Sequence, residues 1–136
     1  MNWLFKEEPS SYSFDDLVKD GRTRWSGVKN PLAQKHLRSV RRGDRVLYYH
    51  TGGEKAVVGI ARAACDAYDD PEDPAGRRAA VDIAPEKKLP RPVTLAEIKR
   101  MKMFASFPLV RMSRLSVMPV DDREWKTILR LSAGSA

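Results

Sequence analysis

The run Arg45-Val46-Leu47-Tyr48-Tyr49-His50-Thr51-Gly52-Gly53-Glu54-Lys55-Ala56-Val57-Val58-Gly59-Ile60-Ala61-Arg62-Ala63-Ala64 reads as a β-hairpin. Two apolar stretches rich in β-branched and aromatic residues flank a glycine pair, and Gly43-Asp44 turns the chain into the first of them. Gly59 interrupts the second stretch. A glycine inside a strand marks a bulge or a close backbone approach, both of which a tightly curved sheet needs.

Working outward from the hairpin, Asn30-Pro31 places a capping residue before a proline at the first helical position. Leu32, Ala33, His36, Leu37 and Val40 then recur at helical spacing. Ser13 with Asp16 caps a short helix that stops by Gly21, and Trp3 to Phe5 forms a short first strand. Downstream, Ala79 to Ala84 reads as a strand and Lys87 to Pro92 as a connector. Thr94-Leu95-Ala96-Glu97 opens a helix running to about Met101, Met103 to Leu109 reads as loop, and Val110 to Val117 as extended chain. Asp121 and Glu124 start a last helix whose buried stripe is Trp125, Ile128, Leu129 and Leu131. Five or six strands with short helices between them predict an α+β fold, a small β-barrel, occupying residues 1–136 as one domain.

Composition narrows the function. The 136 residues carry a formal charge of +7, and Lys19 to Lys55 holds ten basic residues against three acidic ones while the rest of the chain is balanced. Such a patch is either a solvated face or the footprint of a polyanion; Trp25, Tyr48 and Tyr49 among the cations favour nucleic acid, since bases stack on such rings. The single cysteine, Cys65, excludes an internal disulfide and a cysteine-built zinc site, and reads as an inert thiol. No apolar run approaches the roughly 18 residues that cross a bilayer, and the N-terminus lacks a signal-peptide pattern, so a cytoplasmic protein without membrane contact is expected. The stretch Asp69-Asp70-Pro71-Glu72-Asp73-Pro74-Ala75-Gly76 lacks the ligand spacing of a calcium loop and reads as a solvated turn.

Nucleotide-loop, zinc-protease and serine-hydrolase motifs are absent. His36 reads as a surface or half-buried residue on a basic helix. His50 at a strand end is either structural or a base or donor toward a ligand. Trp25-Ser26-Gly27-Val28-Lys29-Asn30 likewise has two readings. Trp25 is core and Asn30 a helix cap, or the six residues grip a flat polar ligand between a ring and backbone amides.

Seven blocks, in order along the chain, resemble the EVE-domain family of the PUA-like superfamily. Trp3-Leu4-Phe5-Lys6-Glu7-Glu8-Pro9 is similar to W-x-x-K-x-E-P, and Trp25 to Asn30 to W-[DST]-G-V-R-N. Gly43-Asp44 with Leu47 to Thr51 resembles the G-D-x-[VA]-x-[FY]-Y-H-S block, and Val57 to Ala61 resembles V-V-G-[IL]-[AG]. Tyr68-Asp69-Asp70, Val81-Asp82-Ile83 and Arg114 to Val120 complete the set. Lys29 stands where the family has arginine, Thr51 where serine is common, and Met112 and Met118 where glutamine is frequent.

The resemblance implies a PUA-like barrel that binds DNA or RNA without a cofactor or metal, as a monomer, holding a modified, cytosine-type base flipped into the barrel mouth. On that reading the base lies between Trp25 and the Tyr49-His50-Thr51 strand end. Ser26, Gly27 and Val28 offer backbone groups to its edge, and Lys6 and Asn30 line the pocket. Lys35, Arg38, Arg41 and Arg42 then meet phosphates. Two rivals are a small nucleotide-processing enzyme of the ASCH kind, using Lys6, Tyr49 and His50 as acid/base groups, and a protein-binding module.

Overall fold

The computed structural model describes residues 1–134. Its strands are β1 (Asn2–Glu7), β2 (Thr23–Trp25), β3 (Arg45–His50), β4 (Ala56–Ala63), β5 (Tyr68–Asp69), β6 (Ala79–Thr94) and β7 (Val117–Val120). The helices are α1 (Phe14–Asp20), α2 (Pro31–Arg38), α3 (Leu95–Lys99), α4 (Pro108–Arg111) and α5 (Asp122–Ser132), with one 3-10 turn at Lys102–Phe104. Six strands join in the order β2-β6-β4-β3-β1-β7, and the two-residue β5 pairs with β6. The β1–β3 pair is parallel and every other pair antiparallel. The sheet curls into an open barrel, and α2 packs against both β6 and β7.

The hairpin expected from the sequence is β3–β4, joined by residues 51–55. Gly59 meets both readings made of it. The β4–β6 register shifts between Val57 and Gly59, and a Cβ added at Gly59 would lie within 2.6 Å of the Phe14 ring. The bare backbone at this position is what lets α1 close one side of the barrel. Asp44 ties the start of β1 to the hairpin, accepting from the Trp3 indole at 2.9 Å and from the Arg41 amide at 2.9 Å.

Helix starts follow the expected capping chemistry. Ser13–Asp16, Thr94–Glu97 and Asp121–Glu124 are all reciprocal capping boxes, and Asn30 caps α2 through Ala33 N–H.

Three expectations fail. Lys87 to Pro92 is not a connector but the middle of a continuous 16-residue strand, β6. Its prolines fall beside the shifts in pairing to β4: Pro85 next to the Ile60/Ala61 shift, Pro90 and Pro92 within the residues left over between Lys88 and Val93. A bulge leaves residues outside the ladder, where a missing N–H costs nothing. The loop expected at Met103 to Leu109 and the extended chain at Val110 to Val117 also give way, to the 3-10 turn and α4, with strand only from Val117. Pro108 at the first position of α4 and the buried Phe104, Phe107 and Leu109 fold this segment onto the core. The acidic stretch is the mostly exposed turn expected, and two of its carboxylates also brace it from within. Asp70 is buried, its carboxylate accepting Glu72 N–H at 3.0 Å, and Asp73 accepts from the amides of Ala75, Arg77 and Arg78.

Candidate nucleic-acid interface

Trp25 ends β2 at the rim of the barrel. Its ring centroid lies 5.4 Å from Phe5 and 5.5 Å from Tyr48, the latter edge-on at 82°. Only 6% of the residue is exposed, yet it borders two neighbouring concavities. The smaller, about 210 Å³, lies among Glu7, Tyr12, Thr23, Arg24, Trp25 and Ser26. The larger, about 360 Å³, gathers Lys6, Trp25, Ser26, Gly27, Val28 and Asn30, with Glu7, Lys29, Arg114 and Ser116 beside them. The smaller volume falls below the roughly 300 Å³ at which drug-sized pockets begin, so it suits one flat ring. Trp25 is therefore both core and rim, and the two sequence readings of it do not compete.

The loop Ser26–Asn30 is shaped by its ends. Gly27 has φ +74° with open space where a Cβ would stand, and Asn30 accepts from Ala33 N–H at 3.0 Å. The Gln34 side-chain amide donates to the Val28 carbonyl, and the Gln34 Oε1 accepts Ala79 N–H at 2.8 Å. Gln34 thus fastens the loop to β6. Lys6 donates to the Ser113 carbonyl at 3.2 Å, and burial lowers its pKa.

The structure brings six of the expected ligand residues, Lys6, Trp25, Ser26, Gly27, Val28 and Asn30, to one concavity. It does not bring Tyr49, His50 and Thr51 there. Successive strand residues point to opposite faces, and the β3 ring that touches Trp25 is Tyr48. Tyr49 is buried under the Lys6 ammonium, 5.9 Å from its ring centroid, and burial pushes its phenol up to about 12. Both nitrogens of His50 are engaged. Nε2 accepts Phe14 N–H at 3.0 Å, which leaves Nδ1 to carry the proton toward Glu54 at 2.8 Å. His50 thereby satisfies a free N–H at the start of α1. Thr51 N–H donates to the Glu7 carbonyl at 2.9 Å. Of Lys6, Tyr49 and His50, the acid/base set of the enzymatic rival, Lys6 borders the larger hollow beside Trp25 and the other two do not.

The expected phosphate contacts sit elsewhere. An eight-residue helix is about 12 Å long, so Arg38, Arg41 and Arg42 lie a helix length from the Asn30 end. Lys35 is exposed. Arg38 is held by Asp69 at 3.1 Å and by the Arg77 carbonyl at 3.0 Å; the Arg41 guanidinium turns back onto the Arg38 and Val40 carbonyls; Arg42 donates its backbone N–H to Asp66. The cations nearest Trp25 are instead Lys6, Lys29, Arg114 and Arg24.

Sequence reasoning missed Glu7, Arg24, Arg114 and Ser116. Glu7 lies beside Lys6 in the first matched block and Arg114 and Ser116 lie in the last, yet of these blocks the sequence reading assigns only Lys6 to the site. Arg24 is braced from behind, its Nε donating to the Tyr68 hydroxyl at 3.2 Å; that hydroxyl donates to Asp82 at 2.6 Å, and Arg22 holds the other Asp82 oxygen at 2.9 Å. Nothing in the local pattern around Arg24 announces this chain, because Tyr68 and Asp82 come from β5 and β6. No group of three or more metal-ligating side chains occurs among the described residues.

Comparison with known proteins agrees with this architecture. The EVE domain family model matches residues 1–131. Human thymocyte nuclear protein 1 is 27% identical over 164 aligned positions, covering 96% of this chain and 73% of that protein. A Rhodopseudomonas palustris protein solved by NMR is 43% identical with a TM-score of 0.92, covering 97% of this chain and 92% of its own. The crystal structure of human THYN1 in complex with 5-methylcytosine-containing DNA superposes with a TM-score of 0.85 at 24% identity, covering 96% of each chain. With its ordered sequence blocks and a family match across nearly its whole length, the chain belongs to the EVE-domain family.

Proposed function

We propose that this protein binds DNA carrying a modified, cytosine-type base and holds that base, flipped out of the duplex, at the concavity beside Trp25. The observation that carries the reading is the joining of a rim tryptophan, a ring-sized hollow and four cations at one mouth of the barrel. The bound DNA of the human THYN1 structure supports it.

The chemistry divides naturally. Flipping costs a few kcal/mol, and stacking on an aromatic ring returns roughly 1–3 kcal/mol. Edge contacts and phosphate contacts supply the rest. A carboxylate is the natural acceptor for the exocyclic amine of cytosine, and Glu7 borders both hollows with Oε1 already accepting Glu8 N–H at 3.0 Å. Lys6, Lys29, Arg114 and Arg24 around the mouth serve the phosphates flanking the flipped nucleotide.

Fluorescence anisotropy with a 5-methylcytosine duplex, its unmodified counterpart and the matching RNA, each at two salt concentrations, tests the reading. The modified duplex binds tighter than the plain one, and both weaken with salt. Equal affinity for the two duplexes, or binding indifferent to salt, overturns it.

A further inference from the structure

The acidic stretch between β5 and β6 has two kinds of carboxylate. Asp70 and Asp73 are spent on the turn itself, accepting from backbone amides of residues 72, 75, 77 and 78. Asp69 and Glu72 are not. Asp69 faces Arg38 at 3.1 Å, and Glu72 faces Arg24 at 4.0 Å. Arg38 also donates to the Arg77 carbonyl of the same loop, and the buried Asp70 anchors the loop's near end. A rigid turn therefore presents two anions to two arginines of the basic surface, one of them at the rim of the Trp25 hollow.

We propose that Asp69 and Glu72 act as internal phosphate surrogates, occupying Arg38 and Arg24 and so holding down binding to DNA of any sequence. The proposal rests on the DNA-binding reading above. A phosphate contact adds affinity without base information, so an arginine already paired withholds that indiscriminate part. Both pairs are solvent-exposed, with Asp69 and Glu72 side chains 73% and 78% accessible. Such pairs are weak enough for a DNA phosphate to compete with them, and strong enough to reduce what it gains. Opposing charge placed against an unwanted partner is a common route to specificity.

The test compares D69N/E72Q with a control of equal charge change at two carboxylates that pair with no cation among the described residues, D20N/D122N, in anisotropy titrations on plain and 5-methylcytosine duplexes across a salt series. Freed arginines steepen the log–log salt slope by roughly 0.9 each, so by up to about 1.8 in D69N/E72Q, with affinity for plain DNA rising roughly threefold to tenfold at low salt. The control changes both quantities less, and adding R24A/R38A to D69N/E72Q removes the gain. An equal gain in D20N/D122N, or no gain in D69N/E72Q, overturns the proposal while leaving the pocket reading intact. Wild-type protein that binds neither duplex overturns the pocket reading itself, and the surrogate role with it. Circular dichroism melts of each variant confirm that folded proteins are being compared.

Discussion

The strand end Tyr49-His50-Thr51 and the loop Trp25–Asn30 both carry rings and hydrogen-bonding groups, and the sequence points to both as walls of one pocket. They are put to opposite uses. His50 has a partner on each nitrogen and Tyr49 is covered by Lys6, so the strand end is consumed in fastening α1 and β1 to the sheet. The loop leaves Ser26, Gly27 and Lys29 open at the rim, while Trp25 and Val28 belong both to the core and to the hollow. Residue type does not decide availability to a ligand; the partners already taken do.

The largest effect expected from this contrast comes at the shared residue. Trp25→Ala should cost about 3–5 kcal/mol of stability, because it removes the ring that packs on Phe5 and Tyr48, as well as discrimination between modified and plain duplex. Thermal melts and anisotropy read the two losses separately. Within the strand-end region, His50→Ala should cost about 1–3 kcal/mol by leaving Phe14 N–H without its acceptor. The folded variant should discriminate between duplexes as wild type does, and a loss of discrimination without a loss of stability would move His50 back into the pocket. Gly59→Ala should destabilise by about 1–3 kcal/mol in chemical denaturation, since its methyl group collides with the Phe14 ring.

On the loop side the effects pass from stability to binding. Lys29→Ala should leave the melting temperature nearly unchanged, within about 0.5 kcal/mol, while making the salt slope shallower by about 0.9 on both duplexes. The smallest effect is a pH dependence. Burial lowers the pKa of Lys6 below its ordinary 10.5, and the group contributes to DNA binding only while protonated. Affinity should therefore begin to fall at a lower pH than for a free lysine as the solution is made alkaline. Lys6→Arg, which keeps its charge, should hold its affinity over the same range.

Much of the fold was legible because its signals are local. Ser13, Asn30, Thr94 and Asp121 cap helices through groups three residues away, and the β3–β4 hairpin closes over five residues. The failures are positions where distant partners overrule local cues. The prolines of β6 read as a break, and only pairing with β4 through bulges makes the strand continuous. Thr23–Trp25 has no strand pattern and extends because it pairs with residues 81–83 of β6. The site divides in the same way. Trp25 to Asn30 is contiguous in the sequence, whereas Glu7, Arg24 and Arg114 reach the two hollows from three separate segments. The sequence assigns Arg38 and Arg41 to phosphates but does not show the partners their guanidinium groups take, which lie in the acidic turn and in the backbone of the helix end.

Backbone-amide and indole NMR spectra recorded while titrating a short 5-methylcytosine duplex test the central claim most directly. The account predicts that the Trp25 indole and the amides of Ser26, Gly27, Val28 and Glu7 shift with the modified duplex far more than with the plain one, while the Arg38–Arg42 amides respond alike to both. Modification-dependent shifts confined to the α2 end, or a Trp25 indole that does not move, would contradict it.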